Sequence, residues 1–245
     1  MSRPELRRDN LVVGTRVIIP QEADLRGDIS IGSGTVIHPK ATILALQGPI
    51  SIGSDCIIEE TAVIVNRSRN LLKIGDSNLF EVGCRIEASV IGSNNIFEVR
   101  SKVASNVAVG SFCTIGAGCT VVPQPLLRED LSSIFDDGDE DEQGSLKTTG
   151  DDNAETDEDV ANVQSDEIRD ELPDRTVVFG ADCKRRLWSG EGAQQQAALH
   201  AKHLEYLREL IPRVHKLKIV QGVRAPSGQT LTSTSTASSS TSATA

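Results

Sequence analysis

From Val13 onward an aliphatic residue or a phenylalanine recurs every six positions. The series runs Val13, Ile19, Leu25, Ile31, Ile37, Ile43, resumes at Ile52, Ile58, Ile64 and at Ile74, Phe80, Ile86, and closes with Ile91, Phe97, Val103, Val109, Ile115, Val121. A step of six suits neither a helix of 3.6 residues per turn nor a continuous strand of period two. It suits a chain that makes a short strand, turns a corner and repeats. Three such steps close a triangle, so the pattern predicts an all-β parallel β-helix of six to seven coils, stacked at about 4.8 Å.

Three further regularities support the register. Every position of the first column (Val13, Ile31, Ile52, Ile74, Ile91, Val109) is followed by glycine: Gly14, Gly32, Gly53, Gly75, Gly92, Gly110. With 20 glycines in 245 residues, six hits in six is a chance event of order 10⁻⁷, so the repeat is real. These glycines mark a corner that needs either φ > 0 or close backbone approach. The register breaks before Ile52, Ile74 and Ile91, each time between the third face and the next first face, as expected when loops gather on one corner. The residue two before each periodic position is mostly small: Ala23, Thr35, Ala41, Cys56, Ala62, Asn78, Cys84, Asn95, Ser101, Cys113, Cys119, with Ile29 and Val107 as exceptions.

The remaining patterns divide the chain. Residues 1–10 form a polar arm and 11–123 the β-helix, ended by Pro123 and Pro125. Residues 124–171 are acidic and poor in aliphatics, a composition that predicts disorder. Leu172 and Val178, again six apart, predict one more docked turn with a connector (172–191). In 192–220, Leu199, His203, Leu207, Leu210, Ile211 and Val214 recur at spacings of three and four, predicting a C-terminal α-helix with one apolar stripe. Pro212 is expected to interrupt or kink that helix. Residues 221–245 are a Ser/Thr-rich flexible tail. The docked turn and the helix are expected to cover one end of the stack, whose strand edges are otherwise unpaired.

Charge changes this picture in one respect. The net charge is −10, yet residues 129–174 alone carry −17, so the rest is about +7. An acidic segment conceals a mildly basic fold. The overall balance argues against a nucleic-acid binder. No run of about 18 apolar residues predicts a membrane insertion. Five cysteines without paired spacing fit a reducing compartment, and the reading is a soluble cytosolic protein.

Candidate chemistry is sparse. Hexapeptide β-helices host zinc hydratases, whose three histidines come from neighbouring coils. The corresponding positions here hold Val82, Glu87, Val99 and Ala104, so no metal site is expected. They also host acyltransferases that use a histidine as general base. His38 is the one candidate, against a reading in which it is an outward-facing, solvated side chain. The cysteines at inward positions read as compact packing groups, and no cofactor is expected. The residues after the second-face positions read Pro20, His38, Glu59, Glu81, Glu98, Gly116. Three glutamates stacked on successive coils repel one another. They form either a solvated stripe eased by Lys40, Arg85 or Arg100, or a docking stripe (His38, Glu59, Glu81, Glu98, Arg100) for a basic partner. Ser133 and Thr149, each three residues before an aspartate, are candidate phosphorylation sites.

Several segments go beyond the repeat. Thr35-Val36-Ile37-His38-Pro39-Lys40-Ala41, Gly48-Pro49-Ile50-Ser51-Ile52-Gly53, Asn78-Leu79-Phe80-Glu81-Val82-Gly83-Cys84, Val177-Val178-Phe179-Gly180-Ala181-Asp182-Cys183-Lys184-Arg185-Arg186 and Leu204-Glu205-Tyr206-Leu207-Arg208-Glu209-Leu210-Ile211-Pro212 resemble the dynactin subunit 6 family. The resemblance implies a left-handed β-helix and a non-catalytic scaffold of the dynactin pointed-end complex. Its implied partners are a second β-helix subunit, the other pointed-end subunits and the actin-related filament end, with dynein served indirectly, in the cytoplasm and cytoskeleton. The acidic insertion and the tail lie outside the resemblance.

Overall fold

The computed structural model describes residues 9–123 and 170–218. The chain winds into a triangular prism of three parallel sheets. Face 1 stacks Asn10–Val13, Asp28–Ile31, Ile50–Ile52, Leu72–Ile74, Val90–Ile91, Val107–Val109 and Asp170–Leu172. Face 2 stacks Val36–Ile37, Ile57–Ile58, Leu79–Phe80, Ile96–Phe97, Thr114–Ile115 and Thr176–Phe179, with Ile18 bridged to Val36 below them. Face 3 stacks Asp24–Arg26, Thr42–Ala45, Val63–Asn66, Arg85–Ile86, Lys102–Val103 and Thr120–Val121. Ile31, Ile52, Ile74, Ile91, Val109 and Leu172 are direct partners up face 1. Six coils are complete, and residues 170–179 supply two faces of a seventh.

The interior is the six-residue series itself. All eighteen positions are buried except Leu25, which is half-buried on the first coil, where no strand lies beneath it. Phe80 and Phe97 stack face to face at 4.9 Å in the centre. The small inward residues are buried at the corners. Asn78 and Asn95 there each accept the backbone N–H of the next coil, from Asn95 and Cys113 respectively.

The corner between faces 1 and 2 resolves the two roles proposed for its glycines. None of Gly14, Gly32, Gly53, Gly75, Gly92 and Gly110 has a positive φ; each lies so close to the next coil that a β-carbon would strike it. The left-handed conformation belongs to the residues two further on, Arg16, Gly34, Asp55, Ser77, Asn94 and Phe112, and to Arg175 at the same corner of the seventh coil. Close approach is therefore the reason for glycine.

The helix sits elsewhere than the sequence suggests. The helix α1 (Ala193–Val214) lies along face 2 rather than over an end. Its start adjoins Phe112 on the sixth coil. The chain after it reaches the first coil, where Lys218 N–H donates to Ile19 O and Gln21 N–H to Lys216 O. At about 1.5 Å per residue, 22 residues make a rod of about 33 Å, close to the height of the stack at about 4.8 Å per coil. Neither a side-chain cap nor a first-turn acid supports its start, so packing holds it.

The apolar stripe also differs. Leu204, Leu207 and Ile211 are buried against Ile18, Val36 and Ile57, while Leu199, Leu210 and Val214 of the expected stripe are exposed. Pro212 falls in the last turn, where it removes the N–H that would bond the carbonyl four residues earlier, and α1 ends two residues later. The far end of the stack is closed by Lys184–Leu187, which pairs antiparallel with Thr176–Phe179.

Candidate functional site

Face 2 and its corner with face 3 carry most of the residues singled out as chemically suggestive. The glutamate stripe is present, and its carboxylates are engaged. Glu59 accepts the N–H of Val82 at 3.2 Å, Glu81 that of Val99 at 3.0 Å, and Glu98 that of Ala117 at 2.9 Å. Each acid thus holds the turn of the coil above it. Burial first, and then the neighbouring acids, push the carboxyls of Glu59 and Glu81 above their ordinary range. Arg85 turns to Glu87 instead of the stripe, and Arg100 stands at the same corner, donating its backbone N–H to Val82 O.

His38 is not the solvated side chain expected from its outward position. It is only 7% exposed. The expectation failed because α1, placed at an end by the sequence reading, occupies this face. His38 Nδ1 is 2.7 Å from Glu60 Oε1, and its Nε2 is sealed from solvent without a hydrogen-bond partner. Burial works to raise the Glu60 carboxyl, but the hydrogen bonds from His38 and its own backbone, with the attraction of His38 and His215, leave it below the usual range. A histidine so enclosed has neither nitrogen available to a substrate, which removes the geometry a general base requires.

A groove of about 360 Å³ runs beside α1 at the corner of faces 1 and 2, lined by Leu79, Ile96, Phe112, Leu199, His200 and Arg208 among others. Arg208 Nη2 bridges Gly34 O and Asp55 Oδ1, both at 2.6 Å, and His200 Nε2 lies 2.7 Å from Asp55 O. These contacts fix the helix rather than present reactive groups. Among the described residues no group of three or more His, Cys, Asp or Glu is arranged to hold a metal ion, and no helix is long and apolar enough to cross a membrane. Ser133 and Thr149 lie outside the described residues.

The residues missed from the sequence are those that receive the helix: Ile18, Val36, Ile57, Leu79 and Ile96. Each immediately precedes a second-face position, so each points outward, and five successive aliphatics there were a readable signal of a covered face.

No family model matches the sequence. The chain is 30% identical over 219 residues to dynactin subunit 6 of Nematostella vectensis, covering 85% of this chain and 92% of that protein. The chain belongs to the dynactin subunit 6 family. It is 29% identical over 229 residues to dynactin subunit 6 of Danio rerio (89% and 92% covered) and 30% identical over 220 residues to that of Xenopus tropicalis (85% and 85%). Among solved structures, a hexapeptide transferase family protein from Anaplasma phagocytophilum superposes with a TM-score of 0.57 at 14% identity, covering 82% of this chain and 93% of that one. A Bacillus cereus protein described as a putative acetyltransferase gives 0.57 at 13%, covering 82% and 92%. At such identities the likeness shows a shared fold and nothing of activity.

Proposed function

We propose that the protein is a non-catalytic structural subunit of the dynactin pointed-end complex, supporting dynein-dependent transport in the cytoplasm. It stands beside a second β-helix subunit, among the other pointed-end subunits and the actin-related filament end. The observation that supports this best is that its match to dynactin subunit 6 runs over nearly the whole length of those relatives.

The prism suggests which side meets the second β-helix. Face 2 is occupied by α1. Face 3 presents Asp24, Thr42, Val63, Arg85, Lys102 and Thr120, half of them charged. Face 1 presents Val12, Ser30, Ser51, Lys73, Val90, Ala108 and Glu171, mostly small or apolar, with Val12 and Val90 exposed. Interface cores are depleted of charge, and a flat sheet of short side chains admits a second flat sheet. The glutamate stripe, committed to its own turns, is less suited to a partner.

Affinity purification of the tagged protein from its own cells tests the reading. Other dynactin subunits are expected to co-purify, and Val90→Arg or Ala108→Arg is expected to release the second β-helix subunit while leaving circular dichroism unchanged. A lone soluble trimer free of dynactin subunits refutes the assembly role; retention of the partner by both variants refutes face 1.

A further inference from the structure

Two thiols meet where the capping turn joins the sixth coil. Cys119 occupies an inward corner at the start of face 3, its Sγ directed at the carbonyls of Gly180 (3.4 Å) and Val178 (3.9 Å). Cys183 closes the turn before Lys184–Leu187, and its Sγ accepts the backbone N–H of Thr120 at 3.2 Å. Thr120 is the chain neighbour of Cys119, so this bond seats the Cys183 sulfur against the backbone beside Cys119. Cys183 holds a left-handed φ of 50°, a conformation that residues bearing a β-carbon rarely adopt, and it packs on the core while remaining partly exposed. Cys56, Cys84 and Cys113 are wholly buried, and the Sγ atoms of Cys56 and Cys113 donate to the carbonyls of Gly75 and Pro173.

We propose that Cys119 and Cys183 are a redox modification site, forming a reversible intramolecular disulfide that fastens the capping strand to the β-helix when a peroxide is present. Cys183 is the reachable sulfur, the partly exposed one of the two, and it reacts as its thiolate. That thiolate attacks hydrogen peroxide; the O–O bond breaks, Cys183 becomes a sulfenic acid, and the departing hydroxide takes a proton to become water. Cys119 then gives up its proton and attacks the Cys183 sulfur. The S–S bond forms as the second oxygen leaves as water. Two thiols lose two electrons and two protons, and one peroxide is reduced to two waters. A dithiol reductant reverses the step. The loop so closed runs from Cys119 to Cys183 and contains the whole acidic segment 124–171.

Peroxide treatment of the full-length protein, alkylation of remaining thiols, trypsin digestion and mass spectrometry test the site. The linked peptides 103–128 and 176–184 are expected in most molecules and are expected to disappear with dithiothreitol. Cys183→Ser and Cys119→Ala are each expected to abolish the link, while Cys113→Ser, altering the other cysteine of the first peptide, preserves it. If Cys119→Ala fails to fold, the partly exposed Cys183→Ser supplies the same loss. Amide exchange in Lys184–Leu187 is expected to slow about tenfold on oxidation, as a locally opening element is tied down. Recovery of Cys183 as sulfinic acid, or in a disulfide between two chains with Cys119 still free, overturns the site. A formed link with unchanged exchange overturns the fastening.

Discussion

Gly75→Ala tests the idea that the corner glycines exist for close approach. Gly75 has no positive φ, so alanine suits its backbone. With open space around it the change would stabilise the protein by about 0.4–1 kcal/mol, through the loss of freedom in the unfolded chain. The next coil forbids this. A β-carbon there stands 2.6 Å from Gly92 O and 2.7 Å from the Gly92 carbonyl carbon, against an ordinary contact of about 3.5 Å, so the coils must part by about 0.8 Å. Gly75 N–H donates to Ile91 O at 2.9 Å, and Asp76 N–H to Ser93 Oγ at 3.0 Å. The same opening carries both beyond hydrogen-bonding distance. Two bonds at about 0.5–1.5 kcal/mol each are lost, leaving a net destabilisation of about 1–2 kcal/mol after the unfolded-state gain. Urea unfolding followed by circular dichroism reads the difference. An asparagine pair separates space from φ. Gly118 has φ 68° and nothing within 4 Å of a β-carbon, so Gly118→Asn is expected to be nearly neutral, since asparagine tolerates the left-handed region. Gly75→Asn is expected to be at least as damaging as Gly75→Ala. A Gly75→Ala protein as stable as the parent refutes the reasoning.

Leu207→Ala empties part of the contact between α1 and face 2, a change that costs about 2–5 kcal/mol when a core leucine is truncated. Amide exchange in α1 is expected to accelerate while the strands stay protected, and unchanged exchange in the helix contradicts its docking. Glu81→Gln keeps the acceptor for Val99 N–H and removes a half-buried charge beside Glu98. Since the folded pKa of Glu81 is raised, folding is disfavoured as pH rises through the carboxylate range, so the variant is expected to gain about 0.2–1 kcal/mol at neutral pH. The melting-temperature difference should vanish in acid. Glu60 has the opposite sign. Its folded pKa is depressed, so its contribution is present above the usual carboxylate range, about 4.3, and is lost as pH falls through the folded value. Glu60→Gln should flatten that acid limb of the melting curve; a parallel curve removes the His38 pairing as its cause.

The fold was legible because a β-helix is a local code repeated. Each coil must place one aliphatic per face, a small residue at the corner and a glycine where backbones crowd, and eighteen positions repeat that demand. The insertions, including the acidic one, all fall at the corner between faces 3 and 1, where a loop disturbs no ladder. The candidate site was less legible, because what an outward residue does depends on what lies over it. His38 reads as solvated only while α1 is imagined at an end, and the glutamate column reads as a free stripe until each carboxylate is seen to take the N–H of the coil above.

Period, register, corner chemistry and family resemblance thus follow from the order of residues alone, since they concern neighbours a fixed number of positions apart. The seat of α1, the sealing of His38 and the meeting of Cys119 with Cys183 required the folded chain. They join residues separated by no regular interval, and although the outward aliphatics of face 2 mark a covered face, nothing in the spacing says that α1 is what covers it.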